Sequence, residues 1–178
     1  TSLITPDSVR GNAPTLEHAI LNDGWPLLED VRGKVMFALD NGGRERALYL
    51  KEHPSLRGRL MFTDSSEGTP EAAFIKQNNP TGEHTQQIIN WVKKGYMVRT
   101  RTDADTLEAR WNRTQRRDTA FASGAQFLST DYPTPNPSHS SEYSVHFSEQ
   151  RTLRCNPILL SSACSTYVME ENHILNGM

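Results

Sequence analysis

Four short β-rich apolar runs punctuate this chain, and each stops at an acidic or polar cluster. KVMFAL (residues 34–39) ends at Asp40 and Asn41, and RLMFT (59–63) ends at Thr63 and Asp64. The run over residues 96–102 closes with Arg101, Thr102 and Asp103, and AQFLST (125–130) ends at Thr130 and Asp131. Helical spacing fills the intervals, over residues 14–22, 44–52, 70–77, 84–94 and 105–122, with Gly124 placed to stop the last helix. Alternation of short strands with helices implies an α/β fold, with parallel pairing through right-handed crossovers. A doubly wound open sheet and part of a (β/α)8 barrel both fit. The chain has no GxGxxG or GxxxxGK[ST] phosphate loop, which counts against a nucleotide-binding open sheet. Four polar strand ends favour the barrel, whose ligand face is built from the carboxyl ends of its strands.

Composition narrows the function classes. The 178 residues suit one domain. The net charge of -2 provides no global basic field to capture nucleic acid or an anionic membrane, so nucleic acid is not an expected partner. No apolar run approaches the roughly 20 residues that span a bilayer. The first residues, TSLITPDSVRG, lack the basic-then-apolar layout of a signal peptide. Cys155 and Cys164 leave three states open: paired with each other, free, or bonded to a segment outside this chain. The proline- and serine-rich PTPNPSHSSEYS reads as loop, and residues 151–178 read as an irregular tail after a domain over 1–150.

The stretch GYMVRTRTDAD, residues 95–105, carries the chemistry. Strand side chains alternate, so Met97, Arg99 and Arg101 share one face while Tyr96, Val98 and Thr100 share the other. Two arginines are ill suited to an apolar helix layer, which places them toward a barrel axis. Arg101 then reaches the ligand face, and Arg99 lies one layer deeper, paired with a carboxylate such as Asp40. A planar guanidinium can bind two phosphate oxygens at once. Asp40 has three candidate roles: a carboxylate that orients an arginine, a ligand to ring hydroxyls, or a peripheral metal ligand. Asp131 either lines the rim or caps the final turn. Asp103 and Asp105 read as caps of the helix that follows. Arg113, Arg116 and Arg117 read as a solvated helix face, and Trp25, Trp91 and Trp111 as packing residues. A structural ion-pair network is the competing reading for Arg99 and Arg101.

GKVMFALDN, GRLMFT, GYMVRTRTDAD, RRDTAFASGAQFLSTDYP and RCNP, with the earlier LITPDSVRG and GWP, resemble the secreted calcium-dependent phosphoinositide phospholipase C family. That family belongs to the wider group of glycerophosphodiester phosphodiesterase-like barrels. The resemblance covers residues 3–157 and implies the C-terminal half of such a barrel, strands five to eight with their helices. It implies calcium as cofactor, an extracellular location, and a phosphodiester or phosphoinositide-type lipid headgroup as partner. The catalytic histidines and main calcium ligands of the family are expected in its other half, which is itself a possible partner, as is another chain. None of His18, His53, His84, His139, His146 and His173 follows a strand end in a family motif, so no catalytic residue is transferred. The implied phosphate-binding set is Arg101, Arg99, Asp40 and Asp131, with Asp40 the one candidate metal ligand. The alternative is a non-catalytic binding or interaction protein built on a truncated, degenerate barrel.

Overall fold

A computed structural model describes residues 2–139, 142–148, 151–159 and residue 164. The chain divides into two compact units, one formed by Thr1–Gln77 with Trp91–Arg99, the other by Asn78–Asn90 with Thr100–Met178.

The first unit opens with β1 (Leu3–Ile4) and α1 (Pro6–Arg10). Thr5 caps α1: its hydroxyl accepts from the Ser8 N–H, and Pro6 supplies a first-turn residue without a donor to satisfy. Then follow α2 (Leu16–Asn22), α3 (Leu28–Val31), β2 (Val35–Met36), β3 (Ala38–Leu39), α4 (Gly43–Leu50), a 3₁₀ turn at Pro54–Leu56, β4 (Phe62–Thr63) and β5 (Phe74–Lys76). The helix α5 (Glu83–Lys94) and the strand β6 (Met97–Arg101) each have residues in both units.

Every assigned pairing in this unit is parallel, and neighbours follow chain order. Leu3 pairs with Val35 and Ile4 with Met36. Ala38 pairs with Phe62 and Leu39 with Thr63. Asp64 bridges to Phe74, and Phe74, Ile75 and Lys76 pair with Met97, Val98 and Arg99. The core holds Leu16, Ala19 and Ile20, which the helical period of α2 places on one face, together with Leu56, Phe62, Ile75, Val92, Tyr96 and Val98. Burial of one side chain the size of Phe62 stabilises by about 2–3 kcal/mol. Trp25 lies 5.3 Å from Phe62, ring to ring, and its indole N–H donates to the Gly95 carbonyl at 3.0 Å. It is a packing residue, as its sequence context suggests.

The second unit holds the end of β6, α6 (Leu107–Trp111), α7 (Gln115–Ala122) and β7 (Phe127–Ser129). Thr102 N–H donates to the Ser129 carbonyl at 3.0 Å, joining the end of β6 to β7. Tyr132 and Tyr143 meet edge to face at 5.7 Å beside Ala109 and Val145. Their hydroxyls donate to the Asp105 and Thr102 carbonyls. Cys155 and Cys164 form a disulfide. Residues 151–159 contain no helix or strand, yet they are fastened. Arg154 donates to the Phe121 carbonyl and stacks on Phe121 and Phe147, and the Asn156 amide donates to the Gly124 carbonyl at 2.7 Å.

Four sequence expectations are corrected. Residues 70–77 are not helical; they form turns and β5. Ala72, Ala73, Phe74 and Ile75 are all buried, and a fully buried parallel strand lacks the alternation that distinguishes it from a buried helix. With β1 also present, four strands is too low a count among the described residues. The expected helix over 105–122 is two helices, broken where Asn112 takes a left-handed conformation with φ 48°. Nor are Arg113, Arg116 and Arg117 one solvated face. Arg116 donates to the Asn79 side chain and the Asn78 carbonyl, and Arg117 to Asp118 and the Ser144 carbonyl. Among the described residues, no helix is long and apolar enough to cross a membrane.

Candidate functional site

In the first unit, polar groups collect at the ends of β3, β4 and β5 and at Arg99 within β6. The parallel register sets Lys76 beside Arg99. Like charges on neighbouring strands repel, and carboxylates from the two preceding strand ends answer them. Lys76 Nζ donates to the Asp40 carbonyl at 2.7 Å and to Asp40 Oδ1 at 2.8 Å. Arg99 stands 3.9 Å from the same carboxylate oxygen. The Lys76 hydrogen bond holds the Asp40 carboxyl below its ordinary range, with the Arg99 charge assisting. Asp64 is committed differently. Its Oδ1 accepts the Lys76 backbone N–H at 2.9 Å, and its carbonyl accepts from Arg46 at 2.7 Å. Asp64 therefore fastens β4 to β5.

In the second unit, Arg101 and Asp131 form an ion pair at 3.5 Å. The Asp131 side chain is 64% exposed and that of Arg101 33%, so the pair is loose and solvent-screened. Beneath it lies Asp103, fully buried. Its Oδ2 accepts from the Thr102 hydroxyl at 2.9 Å and the Thr130 hydroxyl at 2.6 Å. Its Oδ1 accepts the Asp131 N–H at 3.0 Å. This corrects the expected helix-cap role: Thr106 stands at the start of α6 and makes no side-chain cap bond. Asp103 instead ties the end of β6 to the end of β7. Asp105 contributes its carbonyl to Tyr132 and takes a positive φ of 56°. Burial, with Asp103 nearby, pushes the Tyr143 phenol well above its ordinary range.

The structure thus brings Asp40 to Arg99 in one unit and Asp131 to Arg101 in the other. Lys76 is a member that the sequence reading passed over. Its signal was present: AAFIK is an apolar run ending in a charged residue, like the other strand ends. The histidines lie elsewhere. His18 is in α2 and His84 in α5, while His53, His139 and His146 lie in turns and irregular segments. His173 lies outside the described residues.

The described residues form a mixed α/β chain with parallel strand pairs, with Lys76 and Arg99 beside Asp40 in one unit and Arg101 beside Asp131 in the other. Residues 1–157 match the family model described as Phosphoinositide phospholipase C, Ca2+-dependent, and the chain belongs to that family. No curated protein and no solved structure matches the chain.

The family name implies calcium, and the donors described here do not fit it. Calcium takes six to eight oxygen ligands. Among the described residues, no three His, Cys, Asp or Glu side chains gather as a metal site. Asp40 already accepts from an ammonium and faces a guanidinium, a cationic setting that repels a divalent ion. In this structure Asp40 serves as counter-ion to Lys76 and Arg99.

Proposed function

We propose that this chain is the C-terminal part of a phospholipase C-like (β/α)8 barrel, and that its strand ends bind the phosphate and headgroup of a phosphatidylinositol-type phosphodiester. The parallel, chain-order pairs β1–β2, β3–β4 and β5–β6 support the barrel reading, because a doubly wound sheet reverses strand order at a switch point. The observation that carries the functional reading is Arg101 at the end of β6. Among the described residues, an exposed carboxylate 3.5 Å away is the partner of this guanidinium, which can exchange it for two phosphate oxygens. Arg99 and Asp40 are the corresponding groups of the first unit, and Asp131 sets the resting position of Arg101.

Phosphodiester cleavage needs a base for the attacking hydroxyl, an acid for the leaving alcohol, and cations on the non-bridging oxygens. The described residues offer the cations. The acid and base fall to the remainder of a family catalytic domain, so this chain binds rather than cleaves. Co-sedimentation with phosphatidylinositol vesicles against phosphatidylcholine vesicles tests this, with soluble inositol phosphate measured in the same tubes. The expected result is retention on phosphatidylinositol without release. Release by the chain alone would overturn the division of labour. Equal retention on both lipids would favour a binding protein of another kind.

A further inference from the structure

We propose that Asn112 is a modification site, an asparagine that carries an N-linked glycan when the chain travels the secretory route of a glycosylating cell. Asn112 belongs to the second unit and stands at the turn between α6 and α7.

Three triplets in the chain place an asparagine two residues before a serine or threonine: Asn79-Pro80-Thr81, Asn112-Arg113-Thr114 and Asn136-Pro137-Ser138. Proline in the middle position excludes the first and third, so Asn112 heads the one acceptor sequence. The structure separates the three in the same way. Asn79 Oδ1 accepts from the Thr81 hydroxyl at 2.9 Å and from Arg116 at 3.3 Å. Asn136 Oδ1 accepts the Ser138 N–H at 2.9 Å. Both side chains are spent on local turns. The Asn112 side-chain amide has no hydrogen-bond partner among the described residues.

The backbone presents that amide to solvent. Asn112 closes α6 in a left-handed conformation, φ 48° and ψ 44°, and both it and Arg113 are exposed. Trp111 just before it is 68% exposed, and Leu107 one turn earlier is 54% exposed. A bulky, hydrophilic glycan at this turn therefore meets water and no packed core. Thr114 supplies the hydroxyl that the acceptor sequence requires. It stands at the start of α7 but makes no side-chain cap bond there, so reading that hydroxyl costs the helix nothing.

The Cys155–Cys164 disulfide is an independent observation that points to the same compartment. Disulfides form and persist where the surroundings are oxidising, the secretory lumen among them. The step there is a group transfer. The Asn112 amide nitrogen attacks the anomeric carbon of a lipid-pyrophosphate-linked oligosaccharide. A C–N bond forms, the C–O bond to pyrophosphate breaks, the lipid pyrophosphate leaves, and the nitrogen gives up one proton to a base of the transferase.

The chain is secreted from yeast behind a cleavable signal peptide and weighed before and after peptide-N-glycosidase, which leaves aspartate where a glycan stood. The expected product is heavier than the bare chain and collapses to a single mass on treatment. Peptide mapping finds the conversion at residue 112, with Asn79 and Asn136 unchanged. Thr114→Ala and Asn112→Asp each abolish the added mass. Both variants keep at position 112 a residue that tolerates the left-handed turn, and Thr114 has no cap bond to lose, so their thermal midpoints match that of the enzyme-treated wild type. A secreted, folded wild type without a glycan at Asn112 overturns the proposal. Added mass that persists in Thr114→Ala, or that maps to Asn79 or Asn136, overturns it equally.

Discussion

The buried Asp103 carboxylate accepts the backbone N–H of Asp131 at 3.0 Å, joining the segment just after β6 to the residue that pairs with Arg101. Through this contact a group sealed from solvent fixes the position of an exposed one. The same carboxylate collects the Thr102 and Thr130 hydroxyls, so its removal takes the acceptor from the Thr130 hydroxyl and the Asp131 N–H, while the Thr102 hydroxyl keeps the Ser129 carbonyl at 3.0 Å. Asp103→Ala is expected to cost about 2–4 kcal/mol in urea unfolding. A loss near 1 kcal/mol would instead match an exposed helix cap and would contradict the buried role.

A second stability prediction concerns the corner where α7 meets β7. Gly124 has φ +75°, and a Cβ there would clash with Ile158 Cγ1 and meet Asn156 Oδ1 at 3.0 Å. Gly124→Ala therefore combines a left-handed backbone with a clash against the fastened tail. It is expected to destabilise by about 1–3 kcal/mol. Thermal melts of the variant and of a double variant with Asn156→Ala separate the two causes. If the tail contact matters, the double variant loses less than the sum of the single losses.

The acid limb of the stability curve is also assigned. Glu67 accepts from Lys94, and from the Trp91 indole N–H at 2.9 Å; the Lys94 hydrogen bond chiefly holds its carboxyl below its ordinary value near 4.5. A carboxyl depressed in the folded state stabilises above its unfolded pKa, and that contribution is lost as pH falls through the folded pKa. Wild type is expected to exceed Glu67→Gln in urea midpoint at pH 6, with the gap closing as pH is lowered from about 5 to 3. A gap of constant size across that range would show that the carboxylate charge contributes nothing.

The parts of the fold that the sequence made readable are those where one face of an element is buried and the other is not. In β6, Val98 and Thr100 are buried while Arg99 and Arg101 are partly exposed, and strict alternation revealed both the strand and its cationic face. In α2, Leu16, Ala19 and Ile20 fall at helical spacing and are buried together. β5 was obscured for the opposite reason: its apolar run is buried on both faces, and Lys76 was hidden at the end of a supposed helix. Asp103 was misread because an aspartate before a helix has the composition of a cap. The convergence of Thr102, Thr130 and Asp131 on it depends on the pairing of β6 with β7, some 27 residues apart in sequence, and no local pattern encodes that. The break at Asn112 depends on one residue adopting a left-handed conformation that asparagine tolerates but does not require.

The strand-end guanidinium of Arg101 is the group proposed to bind phosphate on an inositol headgroup. Titration of the chain with inositol 1-phosphate, beside its Arg101→Lys variant, tests it most directly. Lysine keeps the charge and loses the two-pronged fork. The account predicts saturable binding by the wild type, about tenfold weaker in the variant, with the two thermal midpoints equal. An absence of binding in the wild type, or a fall in thermal midpoint that accompanies the loss of affinity, would contradict it and return Arg101 to a structural ion pair.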